Sequence, residues 1–209
     1  RAHLHVDAVQ ALGKVSMNLN GVDSLSLSGH KFNGLKGQGL LIIKNIQNIE
    51  PVVHGGGQEY GLKSGTVNLP MAVSMVKSIK LTMGRLDEAS RKLNKMNQSV
   101  RTFLEEFRGV YINSPKDSAP QIINVSFPGV KGEVLVNAFS KHGVMISTTS
   151  ACSSKRGKLN EVLLAMGVPD ARIEGSIRIS MGVHTTEEDI QRFKEVFEEV
   201  YEEVKELLK

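Results

Sequence analysis

The chain has 209 residues and a mass of 22.8 kDa, more than one small domain and less than two full ones at about 150 residues each. Hydrophobic residues at 40% and charged residues at 23% sit near globular averages, which excludes a disordered, collagen-like or low-complexity chain and leaves enough apolar matter for a packed core. The net charge of +4 comes from 26 basic and 22 acidic residues with no basic stripe, so direct nucleic-acid binding is not expected, and apolar runs such as Leu40 to Ile43 fall far short of the ~20 residues of a membrane helix.

In chain order, His3 to Val6, Val22 to Leu27 and Leu40 to Ile43 are short apolar runs broken by glycine, and read as buried strands. From Ala72 the period changes: Val76, Ile79, Met83, Leu86, Leu93, Val100, Leu104 and Phe107 step by threes and fours, predicting one long helix or two in series. Strands follow at Val110 to Asn113 and Ile122 to Phe127, a helix at Glu133 to His142, then strands at Val144 to Ser147 and Ile177 to Met181. This alternation predicts a small α/β domain. Thr185 with Glu188 has capping-box spacing, and Ile190, Phe193, Phe197, Val200, Val204 and Leu207 mark a last amphipathic helix with an acidic outer face. The expected division is 1–70 for a first domain and 71–209 for a connecting helix plus a second.

Four clusters could carry chemistry. Asp7-Ala8-Val9-Gln10 follows a strand, where an acidic residue faces the ligand crevice of an α/β sheet, although a plain turn aspartate fits as well. Ser28-Gly29-His30-Lys31 also ends a strand: the small residues and the histidine leave room and donors for a phosphate, and a lysine there can form a Schiff base or be an ordinary surface lysine. Gly55-Gly56-Gly57-Gln58-Glu59 with Lys63-Ser64-Gly65-Thr66 offers amides and hydroxyls to an anion, or is a glycine-rich linker. Ser150-Ala151-Cys152-Ser153-Ser154 precedes Lys155, Arg156 and Lys158, cations that would push the thiol toward thiolate, unless the thiol is buried and inert. As the single cysteine, Cys152 has no intrachain disulfide partner, which fits a reducing compartment and makes the cytoplasm the expected location.

The elements His5-Val6-Asp7-Ala8-Val9-Gln10, Ser28-Gly29-His30-Lys31, Gly55-Gly56-Gly57-Gln58-Glu59, Ser64-Gly65-Thr66, Ser150-Ala151-Cys152 and Ser176-Ile177-Arg178 occur in the order found in the NifS/IscS-like cysteine desulfurases. The chain resembles these pyridoxal-phosphate enzymes of the aminotransferase class V family almost end to end. The resemblance implies an α/β fold, the C-terminal part of an aminotransferase fold-type I protein: a remnant of the large-domain sheet plus a complete small domain. It implies pyridoxal 5'-phosphate as cofactor, L-cysteine as substrate, a sulfur-acceptor protein as partner and a homodimer, with no metal.

Carried over by residue, Lys31 would hold the cofactor and move the substrate's Cα proton. Asp7 would keep the pyridine nitrogen protonated, Gln10 would bond the ring hydroxyl, and Ser28 and His30 would hold the phosphate. Thr66 would reach the phosphate of the partner subunit, and Arg178 would clamp the substrate carboxylate with a bidentate fork. Cys152 would attack the substrate sulfur and carry it as a persulfide on a mobile, solvent-reachable loop. The wording around Cys152 favours the IscS-like group over the SufS/selenocysteine-lyase group.

The sequence departs from the family at Lys63, where arginine is usual, at Leu35, where proline is common, and at Val183-His184, which replaces an arginine-containing pair. The family's N-terminal phosphate loop, ring-stacking residue and asparagine have no counterpart here. The expectation is therefore the C-terminal portion of a longer enzyme, processed or truncated before Arg1 and inactive alone. A selenocysteine lyase or other class V lyase, which does not need Cys152, is the alternative enzyme. An inactive fragment or docking scaffold for sulfur acceptors is the alternative of another class.

Overall fold

The computed structural model describes residues 2–148 and 160–208. It forms two compact units, Arg1–Ser90 and Arg91–Lys209. The boundary by compactness therefore falls within a helix, and the helix before it belongs to the first unit rather than to the second.

In the first unit, β1 (His5–Asp7) lies parallel to β2 (Ser24–Ser28), with Asp7 opposite Ser26, and β3 (Gly39–Ile43) lies antiparallel to β2, with Ser28 opposite Gly39. The strand order is β1-β2-β3. The Ser-Leu-Ser-Leu-Ser alternation of β2 sends Leu25 and Leu27 to one face, where they are buried with Ala8, Leu12, Phe32 and Met75. Met75 comes from α1 (Leu69–Met83), which Asn68 caps by accepting a hydrogen bond from the Met71 amide, with Pro70 in its first turn. The predicted stripe is corrected on this helix: Val76 and Met83 are 66% and 43% exposed, Ile79 faces the core as predicted, and Met75 joins it there. The 3.6-residue phase does not run on unbroken, because α1 ends at Gly84 and α2 (Leu86–Leu104) starts afresh.

The second unit pairs β4 (Tyr111–Ile112), β5 (Ile122–Ser126), β6 (Ser147–Thr148) and β7 (Ser176–Ser180) in the order β4-β5-β7-β6, all antiparallel. Between these strands run α3 (Gly132–Lys141), α4 (Glu161–Ala165) and α5 (Asp170–Glu174), and α6 (Glu187–Val204) follows. Leu93, Val100 and Leu104 of α2 share one core with Ile123 and Val125 of β5, Leu135 and Phe139 of α3, Ile177 of β7 and Phe193, Phe197 and Val200 of α6. Edge-to-face rings tie the centre: Phe103 and Phe197 lie 5.5 Å apart, Phe107 and Phe197 4.9 Å.

The structure shifts three predicted elements. The capping box is Thr186 with Asp189, each side chain meeting the other's backbone amide, whereas Thr185 accepts from Gly182. Leu207 lies past the helix and is exposed, so the core stripe ends at Val204. Val144 donates to Phe139 O in the turn closing α3, and the strand expected there begins only at Ser147.

Candidate active site

The first unit places most of the sequence-predicted residues together. Parallel pairing brings the C-terminal ends of β1 and β2 to the same edge of the sheet, so Asp7 and the segment Ser28-Gly29-His30-Lys31 leave the sheet side by side. Asp7 Oδ1 accepts from the Val9 amide at 3.0 Å, an Asx turn that fixes the carboxylate at the strand end, and the residue is exposed. Gln10, also exposed, follows in the same turn. After β2 the chain makes a 3-10 turn, Gly29–Phe32, closed by Asn33 in the left-handed region at φ 64° and by amide bonds from Asn33 and Gly34 to Gly29 O. Ser28 Oγ and His30 Nδ1 are 3.0 Å apart, a hydroxyl and an imidazole on one small surface. Lys31 is exposed beside them.

Two side chains that the sequence reading passed over hold this turn. Lys14 Nζ donates to Lys31 O at 2.9 Å, and Thr82 Oγ1 of α1 donates to Phe32 O at 3.2 Å. Lys14 is half-buried: its ammonium sits below the usual lysine range, first because burial strips its water and second because it faces the Lys31 ammonium. Gly13, at φ 74°, is the one residue type that fits beside Thr82, since a Cβ there would lie 1.9 Å from Thr82 Cγ2. A Gly-Lys pair a few residues after the strand-end aspartate was the available signal.

The glycine-rich third cluster closes on itself. Ser64 Oγ donates to Gly56 O at 2.9 Å, the Gly65 amide donates to Gln58 Oε1 at 3.3 Å, and Val53 bridges Lys63. Glu59 and Tyr60 both occupy the left-handed region, at φ 50° and 59°, and Tyr60 is 89% exposed. Thr66 is exposed at the end of this loop.

In the second unit Arg178 sits on the central strand β7, opposite Asn124 on one side and Ser147 on the other. Among the described residues its Nε is buried without a hydrogen-bond acceptor. Cys152 lies outside the described residues. The open groove between α2 and α6, about 380 Å³, is lined by Lys95, Ser99, Phe103 and Lys194 among others and holds none of these groups. Lys194 there donates to Ser99 Oγ at 3.0 Å.

The donor set suits pyridoxal 5'-phosphate: an amine for its aldehyde, a carboxylate for its ring nitrogen and a hydroxyl with an imidazole for its phosphate, all at one sheet edge. Among the described residues no three His, Cys, Asp or Glu side chains gather as metal ligands, and no helix is long and apolar enough to cross a membrane.

Comparison with known proteins gives the family and the fold. The family Aminotransferase class-V matches residues 1–193. A cysteine desulfurase IscS of Clostridium botulinum is 38% identical over 211 residues, covering 98% of this chain and 53% of its own length. One of Methanosarcina thermophila is 38% identical over 197 residues, covering 93% and 49%. The chain thus spans about half the length of the curated relatives it matches. A solved NifS-like protein superposes with a TM-score of 0.84 at 37% identity over 96% of this chain and 52% of its own, and a NifS-like protein of Rickettsia africae gives 0.84 at 29%, over 96% and 54%. With the motifs in order, the strand-end residues gathered and the fold shared, the chain belongs to the aminotransferase class-V family.

Proposed function

We propose that the chain provides the lysine-bearing part of a pyridoxal-phosphate-dependent cysteine desulfurase, releasing L-alanine from L-cysteine and passing sulfur to an acceptor protein. The observation that carries this reading is the side-by-side exit of Asp7 and Ser28-Gly29-His30-Lys31 from two parallel strands.

The cofactor, when bound, supplies an electron sink for the substrate's Cα–H bonding pair. Lys31 would hold the cofactor through its amine and would take the proton from the substrate's Cα and return it to the product. Asp7, anchored by the Val9 amide, keeps the ring nitrogen protonated. Gln10 lies in the following turn and bonds the ring hydroxyl. Ser28 and His30 grip the phosphate from their shared surface. Arg178 binds the substrate carboxylate through its guanidinium, whose buried Nε has no acceptor among the described residues. Cys152 attacks the substrate sulfur as thiolate: the S–S bond forms, the carbon–sulfur bond breaks with its electrons going to carbon, and protonation of that carbon completes alanine. The persulfide then passes to an iron–sulfur scaffold or a tRNA-thiolation carrier. Thr66 serves the partner subunit's phosphate in a homodimer, and turnover requires the half of the relatives' length that this chain does not match.

Borohydride reduction of the cofactor-loaded protein followed by peptide mapping tests the assignment. The pyridoxyl group is expected on Lys31, and its appearance on another lysine removes Lys31 from the role. Cys152→Ala is expected to abolish alanine release from cysteine. Retained release would favour a lyase that needs no thiol.

A further inference from the structure

We propose that Lys14 is a positioning residue for Lys31, joining the turn that carries the amine to the segment that carries the ring-nitrogen acid; the proposal rests on the reading of Lys31 as the cofactor lysine. Between Asp7 and Lys14 the chain runs through one compact turn: the Ala11 amide donates to Ala8 O at 2.9 Å, and the Lys14 and Val15 amides both donate to Ala11 O, at 3.0 and 3.1 Å. Lys14 leaves this turn and reaches across to the carbonyl of Lys31, at 2.9 Å. A short, internally bonded path therefore links the carboxylate to the amine-bearing residue, independent of the β1–β2 ladder.

The bond is made to the main chain, so it fixes the Lys31 backbone while leaving the amine unengaged by it. A 3-10 turn has poor hydrogen-bond geometry of its own and gains from such a support. Thr82 supports the next carbonyl from α1, which confines the turn from two sides. A cation is also an expensive choice for this task. Half-buried and facing a second ammonium, Lys14 is disfavoured in its charged form, and a neutral amide donor would avoid that cost.

The test compares the full chain with its Lys14→Arg and Lys14→Met variants, using pyridoxal 5'-phosphate as the probe. Amide exchange reads the turn directly. Lys14→Met is expected to speed exchange at Asn33 and Gly34 by about tenfold, the loss of one charge-assisted hydrogen bond, while the β2–β3 ladder keeps its protection. Lys14→Arg keeps a cationic donor and is expected to restore the protection. The rate of borohydride-trapped labelling at Lys31 is expected to fall severalfold in Lys14→Met and to be kept in Lys14→Arg. Wild-type exchange and labelling in Lys14→Met, with Lys31 labelled throughout, overturns the positioning role alone. Faster exchange across the whole ladder also overturns it, by making Lys14 a general scaffold residue. Pyridoxyl label on another lysine of the unsubstituted chain overturns the cofactor reading itself.

Discussion

Asn113 of the β4 segment and Asn124 of β5 meet side chain to side chain, with Asn113 Nδ2 donating to Asn124 Oδ1 at 2.6 Å in a buried setting. The same amide group reaches Ser126 Oγ at 2.6 Å, Asn124 donates on to Ile177 O at 3.0 Å, and Arg172 donates to Asn113 Oδ1. The Arg172 guanidinium lies 4.7 Å from the Tyr111 ring centroid. A polar network thus fastens α5 to the face of the sheet opposite the phenylalanine core.

Removing its hub should cost far more than one surface hydrogen bond. Asn113→Ala takes a partner from Asn124, Ser126 and Arg172 at once, and about 2–4 kcal/mol of unfolding free energy is expected to disappear in urea titration. A loss below about 1 kcal/mol would mean that water replaces the amide at little cost.

Gly175 is predicted to resist any side chain. A Cβ there would stand 2.2 Å from Phe127 O and 2.7 Å from Val130 O, both main-chain atoms that cannot turn aside. The Phe127 amide also donates to Gly175 O at 2.9 Å, so the two segments cannot separate without losing that bond. Gly175→Ala is expected to destabilise the chain by about 2–4 kcal/mol, read as a lowered urea midpoint at unchanged slope.

The exposed pair Lys95–Glu187, at 2.6 Å, gives a pH-dependent and salt-sensitive contribution. Hydrogen bonding to Lys95, and then its charge, hold the Glu187 carboxyl below its ordinary value of 4.5. The folded state therefore binds that proton less readily than the unfolded one. The stabilisation is complete above 4.5 and is lost as pH falls through the lower folded value. Lys95→Met is expected to lower the Tm slightly at pH 7 in low salt, and to leave it unchanged in molar salt or at pH 2. A Tm loss that persists under both conditions would trace to packing of the lysine stem.

Arg178 separates a scaffold role from a binding role. Its Nε is buried and has no acceptor, so Arg178→Met removes a desolvation cost along with the charge. Unfolding free energy is expected to stay within about 1 kcal/mol of the parent, while KM for L-cysteine in the active enzyme rises at least about tenfold. A stability loss beyond about 2 kcal/mol with KM unmoved would assign the residue to the fold instead.

Much of this was legible in the sequence because the relevant signals are local. Strand runs such as Ile122 to Phe127 and Val22 to Leu27 lie within a residue or two of the strands found, and Phe193, Phe197 and Val200 marked the buried face of α6. The cap was misplaced by one residue because Thr185-Thr186-Glu187-Glu188-Asp189 offers two registers, and only the position of the first helical turn decides between them. Lys14, Thr82, Arg172 and the Asn113 hub were missed for a different reason. Their partners are distant in sequence, and for Lys14 and Thr82 the atom bound is a backbone carbonyl, which leaves no trace in residue type. Exposed Val76 shows the same limit, since periodicity gives the phase of a stripe and not the surface that covers it.

The turn bearing Lys31 is held through Gly29 O, Lys31 O and Phe32 O, atoms that any residue supplies. Shape and reactivity are therefore written in separate parts of the same four residues. The side chains at positions 30 and 31 can be exchanged without asking the backbone to find a new path, which makes Lys31→Ala a clean chemical deletion.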